Sequence, residues 1–298
     1  MTQPDLHSFV KHFFIVFWLS FAVNFSLCAQ SEKGSTRSVI YTTYVSHQLG
    51  YSSSQRYNAY LSPLKYKGAA LFYRMRTEFP LSQQKNRWLV SSEAGFGWDR
   101  LLNAAHSAQM TVYTGNFALS VHHLKPLANR LMLGVGSRLE WNTDVMLQSR
   151  NQNNPNDIEV NLDLQPSFLL AYEMQIGRFA CRVRLDTYLS LLGIGFCTDY
   201  RESYWQAILL KRLSQSIEFH SLHNRMQLAS QLTLDFPIAN VCTLQFAYKW
   251  QTSGRLVNNL YKQNASHYLG VGISTHLQFF PGYRIISNNQ YANPLYSF

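Results

Sequence analysis

The sequence predicts an all-β chain folded as a single antiparallel transmembrane β-barrel of about 12 strands, with 10 to 14 in range. Three observations carry this expectation. Several segments alternate apolar and polar side chains at a period of two, the mark of a strand with two unlike faces. The segments are about nine residues or longer, as a tilted membrane strand requires, whereas soluble sandwich strands average about five or six. Aromatic residues stand at segment ends (Trp88, Trp98, Trp141, Trp250, Phe279 and Phe280), as in the interfacial girdles of membrane barrels.

Composition agrees. The chain has 298 residues, with 26 Lys and Arg against 16 Asp and Glu, a formal charge of +10, yet only 14% of its residues are charged. Ordinary soluble domains carry about 25%. Hydrophobic residues make up 46% and aromatic ones 14%, which excludes a disordered chain. No long amphipathic helical pattern interrupts the β segments, so a parallel α/β sheet is not expected.

In chain order, residues 13–29 read FFIVFWLSFAVNFSLCA, an unionisable stretch after Lys11 and His12 with small Ala29 at its end. This predicts a secretory signal peptide over 1–29 and a barrel domain over 30–298. An uncleaved anchor, for which the run is slightly short, and lipoprotein processing at Cys28, where Leu27 is too large, are the rival readings. No later segment is long and apolar enough for a transmembrane helix.

Strands are expected around 39–49, 68–79, 87–98, 110–121, 131–141, 159–174, 178–190, 203–211, 228–236, 242–250 and 269–279, with an unclear twelfth around 216–223. In 242–250, Cys242, Leu244, Phe246, Tyr248 and Trp250 oppose Thr243, Gln245, Ala247 and Lys249. In 269–279, Leu269, Val271 and Ile273 oppose Gly270, Gly272 and Ser274; glycine on the polar face would relieve crowding in a curved strand. Residues 237–240 are expected as a turn, and 151–157 and 254–264 as longer surface loops.

If the apolar face meets lipid, parity assigns to the lumen Arg74, Arg76, Glu78, Glu93, Arg138, Glu140, Asp163, Glu173, Arg182, Arg184, Asp186, Asp235 and Lys249. Both signs occur in comparable number, so these charges should pair with one another. A barrel of about twelve strands is narrow enough for such side chains to occlude it, unlike channels of 16 to 18 strands. The remaining positive charge, on Arg56, Lys65, Lys67, Lys85, Arg87, Arg100, Lys125, Arg130, Arg150, Lys211, Arg212, Arg225, Arg255 and Lys262, is expected in loops and rims. There it would be simple solvated charge or would meet anionic lipid and lipopolysaccharide head groups.

Other constellations carry little. Cys181, Cys197 and Cys242 remain after the signal; an odd number cannot pair fully, and the spacing fits no metal pattern. Cys181 and Cys242 fall on the apolar parity and read as small lipid-facing hydrophobes. His122 and His123 point to opposite faces. Ser120 with His122, or Ser274 with His276, would be the serine–histidine pairs of a membrane-embedded lipid-modifying enzyme, but two-apart positions in a strand stand about 7 Å apart. No catalytic, cofactor or metal residue is assigned, and no motif supports nucleotide or nucleic-acid binding.

Three stretches, NAYLSPLKYKG at 58–68, NNPND with VNLDLQPSFLLAYEM across 153–174, and LTLDFP at 232–237 with VNNLYKQNASHYLGVGI at 257–273, resemble an uncharacterised domain-of-unknown-function family of Gram-negative outer-membrane β-barrel proteins. The resemblance spans about residues 55–280. It implies export, one barrel and an outer-membrane location, and it brings no activity. Pro63 and Pro237 within it suit turns. The terminal Phe298 resembles the aromatic end recognised by barrel-insertion machinery. The expectation is thus an outer-membrane barrel with a narrow or occluded lumen, a pore or an envelope-structural or loop-binding protein. A lipid-modifying enzyme and a soluble periplasmic β protein are the alternatives.

Overall fold

The computed structural model describes residues 40–41, 43–81, 88–148, 156–176, 179–196, 216–239, 242–257, 260–277 and 291–292. The expected signal peptide, Cys197 and the segment 203–211 lie outside them. The chain divides into two compact units, residues 1–40 with 278–291, and residues 41–277 with 292–298. β1 (Ile40–Tyr41) and β14 (Tyr291–Ala292) form a two-stranded sheet, the only described strands outside the large one.

The second unit holds a twelve-stranded antiparallel sheet. Its strands are β2 (Thr43–Asn58), β3 (Ser62–Pro80), β4 (Trp88–Asn103), β5 (Gln109–Ala128), β6 (Leu131–Gln148) and β7 (Asn156–Ile176). They continue with β8 (Phe179–Leu189), β9 (Leu192–Phe196), β10 (Ile217–Ser221), β11 (Arg225–Ala239), β12 (Cys242–Val257) and β13 (Leu260–Leu277). Each strand from β2 to β7 pairs with the next, β7 pairs with β8, β8 with β11, β11 with β12, β12 with β13, and β13 closes on β2. Ten strands therefore form the closed ring. β9 and β10 stand outside it: β9 continues β8 along Val160–Leu164 of β7, and β10 pairs with β9. Closure removes the sheet edges that a flat sheet of this size would expose.

Alternation decides what points where. On β12, Leu244, Phe246 and Tyr248 face out, whereas Thr243, Gln245, Ala247, Lys249, Gln251 and Arg255 are buried inside. Every ring strand repeats the pattern. The outer face carries Leu49 and Tyr51 of β2, Leu71 of β3, Phe96 and Trp98 of β4, Leu139 and Trp141 of β6, Phe168 and Leu170 of β7, and Leu269 and Val271 of β13, all exposed. Polar groups on that face are tied locally, as where His47 Nδ1 and Tyr73 Oη stand 2.7 Å apart. A continuous exposed apolar band of this kind is stable only against lipid or another apolar surface.

The strands run longer than the alternation alone suggested, 15 to 21 residues for most of the ring. The segment 254–264, expected as a loop, is mostly strand: β12 and β13 keep register from Cys242↔Thr275 to Val257↔Leu260. Residues 237–239, expected in a turn, extend β11 with a register shift between Pro237 and Ala239, and Pro63 lies within β3. The β4–β5 turn shows how a short connection is fixed. Asn103 Oδ1 accepts from the backbone N–H of Ser107 (2.8 Å) and Ala108 (3.2 Å), while His106 takes a left-handed φ of 54°. Cys181 keeps the outward parity but is only 2% exposed, so it is a covered hydrophobe and not a lipid-facing one.

Candidate functional site

The lumen is polar because every second residue of ten long strands points into it, and ten strands leave little space that side chains do not fill. Of the thirteen charges assigned to it by parity, eleven are buried there: Arg74, Arg76, Glu78, Glu93, Arg138, Glu140, Asp163, Arg184, Asp186, Asp235 and Lys249. Glu173 and Arg182 share the inward parity but lie at the end of the barrel, 31% and 24% exposed at the side chain, paired at 3.5 Å.

Ten of the buried eleven form one layer, whose heart is a ring of four. Arg76 Nε meets Glu78 at 2.8 Å and its Nη1 meets Asp186 at 3.2 Å; Arg184 Nη1 meets Glu78 at 2.9 Å and its Nε meets Asp186 at 2.9 Å. Arg76 and Glu78 belong to β3, Arg184 and Asp186 to β8. In the ring order β2, β3, β4, β5, β6, β7, β8, β11, β12, β13, those two strands are five steps apart either way. The pairs thus bridge the full diameter. Around them Glu93 takes Arg138 at 3.1 Å and Arg74 at 3.5 Å, Arg138 adds Glu140 at 3.5 Å, and Arg74 donates to Gln231. Arg138 lies over the Tyr188 ring at 4.4 Å, and Lys249 Nζ stands 5.4 and 5.7 Å from the rings of Tyr188 and Tyr268. Asp235 accepts from Gln245 Nε2 at 2.9 Å. Charges so deeply withdrawn from water persist because they find an opposite charge, a hydrogen bond or, for Lys249, aromatic faces.

Asp163 belongs to a second, upper layer, nearer the end where β2 meets β3 and β12 meets β13, the layer around the ring of four being the lower one. His220 Nε2 lies 2.7 Å from its Oδ1, Ser190 Oγ donates to it at 2.8 Å, and Arg225 pairs with it. A side chain at Gly193 would collide with His220 and stand 2.8 Å from Asp163 Oδ1, so glycine there makes room for the imidazole. This layer also holds Arg56 with Asp144 (2.8 Å) and Asp99 (3.4 Å), Lys262 with Asp157 (2.6 Å), and Arg255 with Glu159 (3.1 Å).

Arg56, Arg225, Arg255 and Lys262 were expected at rims and are instead inside, each under a tenth exposed. The reason is strand length: β2, β11, β12 and β13 keep the inward parity beyond the segments where alternation is obvious, so the same even or odd rule that places Lys249 also places Arg255. Asp99, Asp144, Asp157 and Glu159 follow from Glu93, Glu140 and Asp163 in the same way. Lys65, Lys67, Arg100, Lys125 and Arg130 are exposed.

Within this layer is a small cleft of about 40 Å³, partly open to solvent, lined by Arg56, Asp144, Glu159, Arg225, Arg255 and Lys262 with Asn142, Asn161, Gln227 and Asn264. An apolar cluster of Tyr60, Leu61, Tyr66, Leu101, Met110, Val112, Met146 and Leu260 fills another part of the same end.

Of the serine–histidine pairings considered from sequence, that of Ser120 with His122 is not assembled for catalysis. His122 Nε2 lies 2.9 Å from Ser167 Oγ, not from Ser120, and all three are buried. The side chain of His276 lies outside the described ones. At Asp163 the carboxylate sits between Ser190 and His220, the reverse of a nucleophile–base order. Among the described residues no group of three His, Cys, Asp or Glu could hold a metal ion.

A model of a family described as "Protein of unknown function (DUF3316)" matches residues 13–284, nearly the whole chain, and the chain belongs to that family. No curated protein matches. Solved structures similar to the chain include the outer membrane protease OmpT from Escherichia coli, at 10% identity and a TM-score of 0.44, covering 83% of this chain and 100% of that one. The transport unit of the autotransporter AIDA-I from Escherichia coli gives 9% and 0.44, covering 87% and 98%. The translocator domain of autotransporter NalP from Neisseria meningitidis gives 11% and 0.40, covering 91% and 98%. None of these likenesses assigns an activity.

Proposed function

We propose that this member of a family without an assigned activity is an exported outer-membrane barrel whose lumen is closed to free diffusion, so that it acts as an envelope-structural or loop-end binding protein and not as an open pore. The observation that carries the reading is the ring of Arg76, Glu78, Arg184 and Asp186, which spans the lumen between opposite strands. Hydrated solutes passing this layer would have to break several buried ion pairs at once, each costing several kcal/mol if one partner is left alone. The outer apolar band supports a lipid setting, and exposed Lys65, Lys67 and Arg100 near one end and Lys125 and Arg130 near the other are placed to meet anionic head groups, including those of lipopolysaccharide. Export would use a cleavable signal over residues 1–29.

Planar-bilayer recording tests the closed lumen. The wild-type protein is expected to show no steady conductance beyond that of occasional small-ion leaks, whereas joint replacement of Glu78 and Arg184 by alanine should open a measurable one. A steady channel in the wild type would overturn the reading. The lipid face is tested by Phe246→Arg, expected to cost about 2–4 kcal/mol of insertion near the midplane. Undiminished carbonate-resistant insertion of that variant would show that Phe246 does not face lipid.

A further inference from the structure

We propose that the outer surface of β3 and β4, at the end of the barrel where β2 meets β3, holds the phosphorylated sugar headgroup of lipid A, the membrane anchor of lipopolysaccharide, with its phosphates on Lys65, Lys67 and Arg100. The site belongs to the lipid setting proposed above and stands only if that reading does. Among the described residues of the ring strands every carboxylate falls on the inward parity, from Glu78 on β3 to Asp235 on β11. The outer face therefore sets no opposite charge against its cations. Lys65, Lys67 and Arg100 are exposed on that face, and none has an ion-pair partner among the described residues.

Register places the three together. Arg100 lies opposite Ala69, and Lys67 opposite Gln55 and Leu102, so Lys67 and Arg100 are diagonal neighbours about 7–8 Å apart on adjacent strands. Lys65 follows two residues further on the same face of β3. Arg100 Nε donates to Gln109 Oε1 at 3.0 Å, and Gln109 Nε2 donates to Thr111 Oγ1 at 3.3 Å, which orients the guanidinium and keeps its Nη1 and Nη2 out of these bonds. A guanidinium offers a phosphate paired N–H donors, and lysines add point charges.

The wall around these cations is ordered like a lipid. On one side stand Tyr51, Leu71, Trp98 and Leu269, all exposed and suited to acyl chains. Arg100 lies two residues beyond Trp98, at the depth where interfacial aromatics meet headgroups. Beside the cations, Lys65 is opposite Tyr57, whose ring lies 5.8 Å from that of exposed Tyr261. Two aromatic faces with hydroxyl groups suit a sugar ring better than a plain phospholipid headgroup. The connections at this end include 104–108, 149–155 and 197–216, against 81–87, 129–130, 177–178 and 240–241 at the other. Outer-membrane barrels carry their longer connections outside, which puts the patch in the leaflet where lipopolysaccharide resides.

The experiment is native mass spectrometry of the purified full chain, refolded in detergent and titrated with bisphosphorylated lipid A, phosphate-free lipid A, phosphatidylglycerol and inorganic phosphate. One lipid A per chain is expected to bind saturably, with the other two lipids about tenfold weaker. Joint Lys65→Gln, Lys67→Gln and Arg100→Gln replacement should weaken lipid A by about tenfold, because each exposed charge contact is modest by itself. Joint Lys125→Gln and Arg130→Gln replacement at the other end should leave it within about twofold. The mobility shift on heating reports folding; if the triple variant does not fold, Arg100→Gln alone should weaken lipid A by about threefold. Lipid A affinity of the folded triple variant within about twofold of the wild type, equal loss in the Lys125 and Arg130 variant, phosphatidylglycerol bound as tightly, or displacement of lipid A by equimolar inorganic phosphate would each overturn the proposal. Protein released from membranes by carbonate would defeat the lipid setting itself, whereas carbonate-resistant protein whose triple variant keeps its lipid A affinity would defeat only the site.

Discussion

The two charged layers of the lumen are built from the same residue types on the same inward parity, yet one is a plug and the other a cleft. In the lower layer the partners of Arg76 and Arg184 come from strands on opposite sides of the ring, so satisfying the charges also closes the space. In the upper layer long side chains also reach across, as Arg56 does from β2 to Asp144 of β6, but an apolar cluster occupies part of the cross-section and a small cleft is left among the ion pairs. The comparison teaches that occlusion in a narrow barrel depends on where the partners stand around the ring, on opposite strands for the four central charges and on nearer strands in the upper layer, more than on the number of charges present.

The comparison can be broken most forcefully at Asp186. Asp186→Leu leaves Arg76 and Arg184 each short of a carboxylate in a nearly dry layer, and urea unfolding in detergent should show a loss of about 3–5 kcal/mol. Loss of under about 1 kcal/mol would mean that water reaches this layer as easily as it reaches the cleft.

A smaller effect is expected in the upper layer from Gly193→Ala, where the added methyl meets His220 and Asp163. Overpacking of this kind costs about 1–3 kcal/mol, seen as a lower unfolding midpoint. Gly97→Ala provides the contrast: its Cβ would meet nothing closer than Thr114 Cβ at 3.7 Å, so the midpoint should shift less. Equal shifts would show that the upper layer is not tightly fitted around the imidazole.

Tyr188→Leu sharpens the lower layer, since it removes the ring over which Arg138 and Lys249 lie while keeping apolar bulk. A loss of about 0.5–2 kcal/mol is expected. A double-mutant cycle with Arg138→Met should show coupling, and strict additivity would deny the contact. The smallest effect is Ser54→Ala, which removes the 3.0 Å hydrogen bond to Asp99 and should cost about 0.5–1.5 kcal/mol.

Much of this architecture is legible along the chain. The alternation around Lys249 and Phe246 orients β12 without any structure, because a period of two leaves one choice of face once the apolar side is assigned outward. The same rule, followed six residues further, would have placed Arg255 inside; that reading stopped where the outward residues turn polar at Thr252 and Gly254, which end the apolar signal but not the strand. The count of ring strands was harder. A register excursion at Ser190 and Leu191 opposite residues 222–224 splits two long segments into β8 with β9 and β11 with β10, and nothing in local composition announces that only the lower halves join the closed ring.

The sequence by itself determined that this is a barrel with an apolar outside and a charged inside, because hydrophobic burial and strand periodicity act locally and leave their pattern in consecutive residues. Which charges meet was decided only by tertiary structure. Glu78 finds Arg184 across 106 residues of chain, and Arg255 finds Glu159 across 96, because ring closure and register set those distances. Coulomb attraction and hydrogen bonding act over a few ångströms, so the difference between plug and cleft exists only once opposite strands face each other.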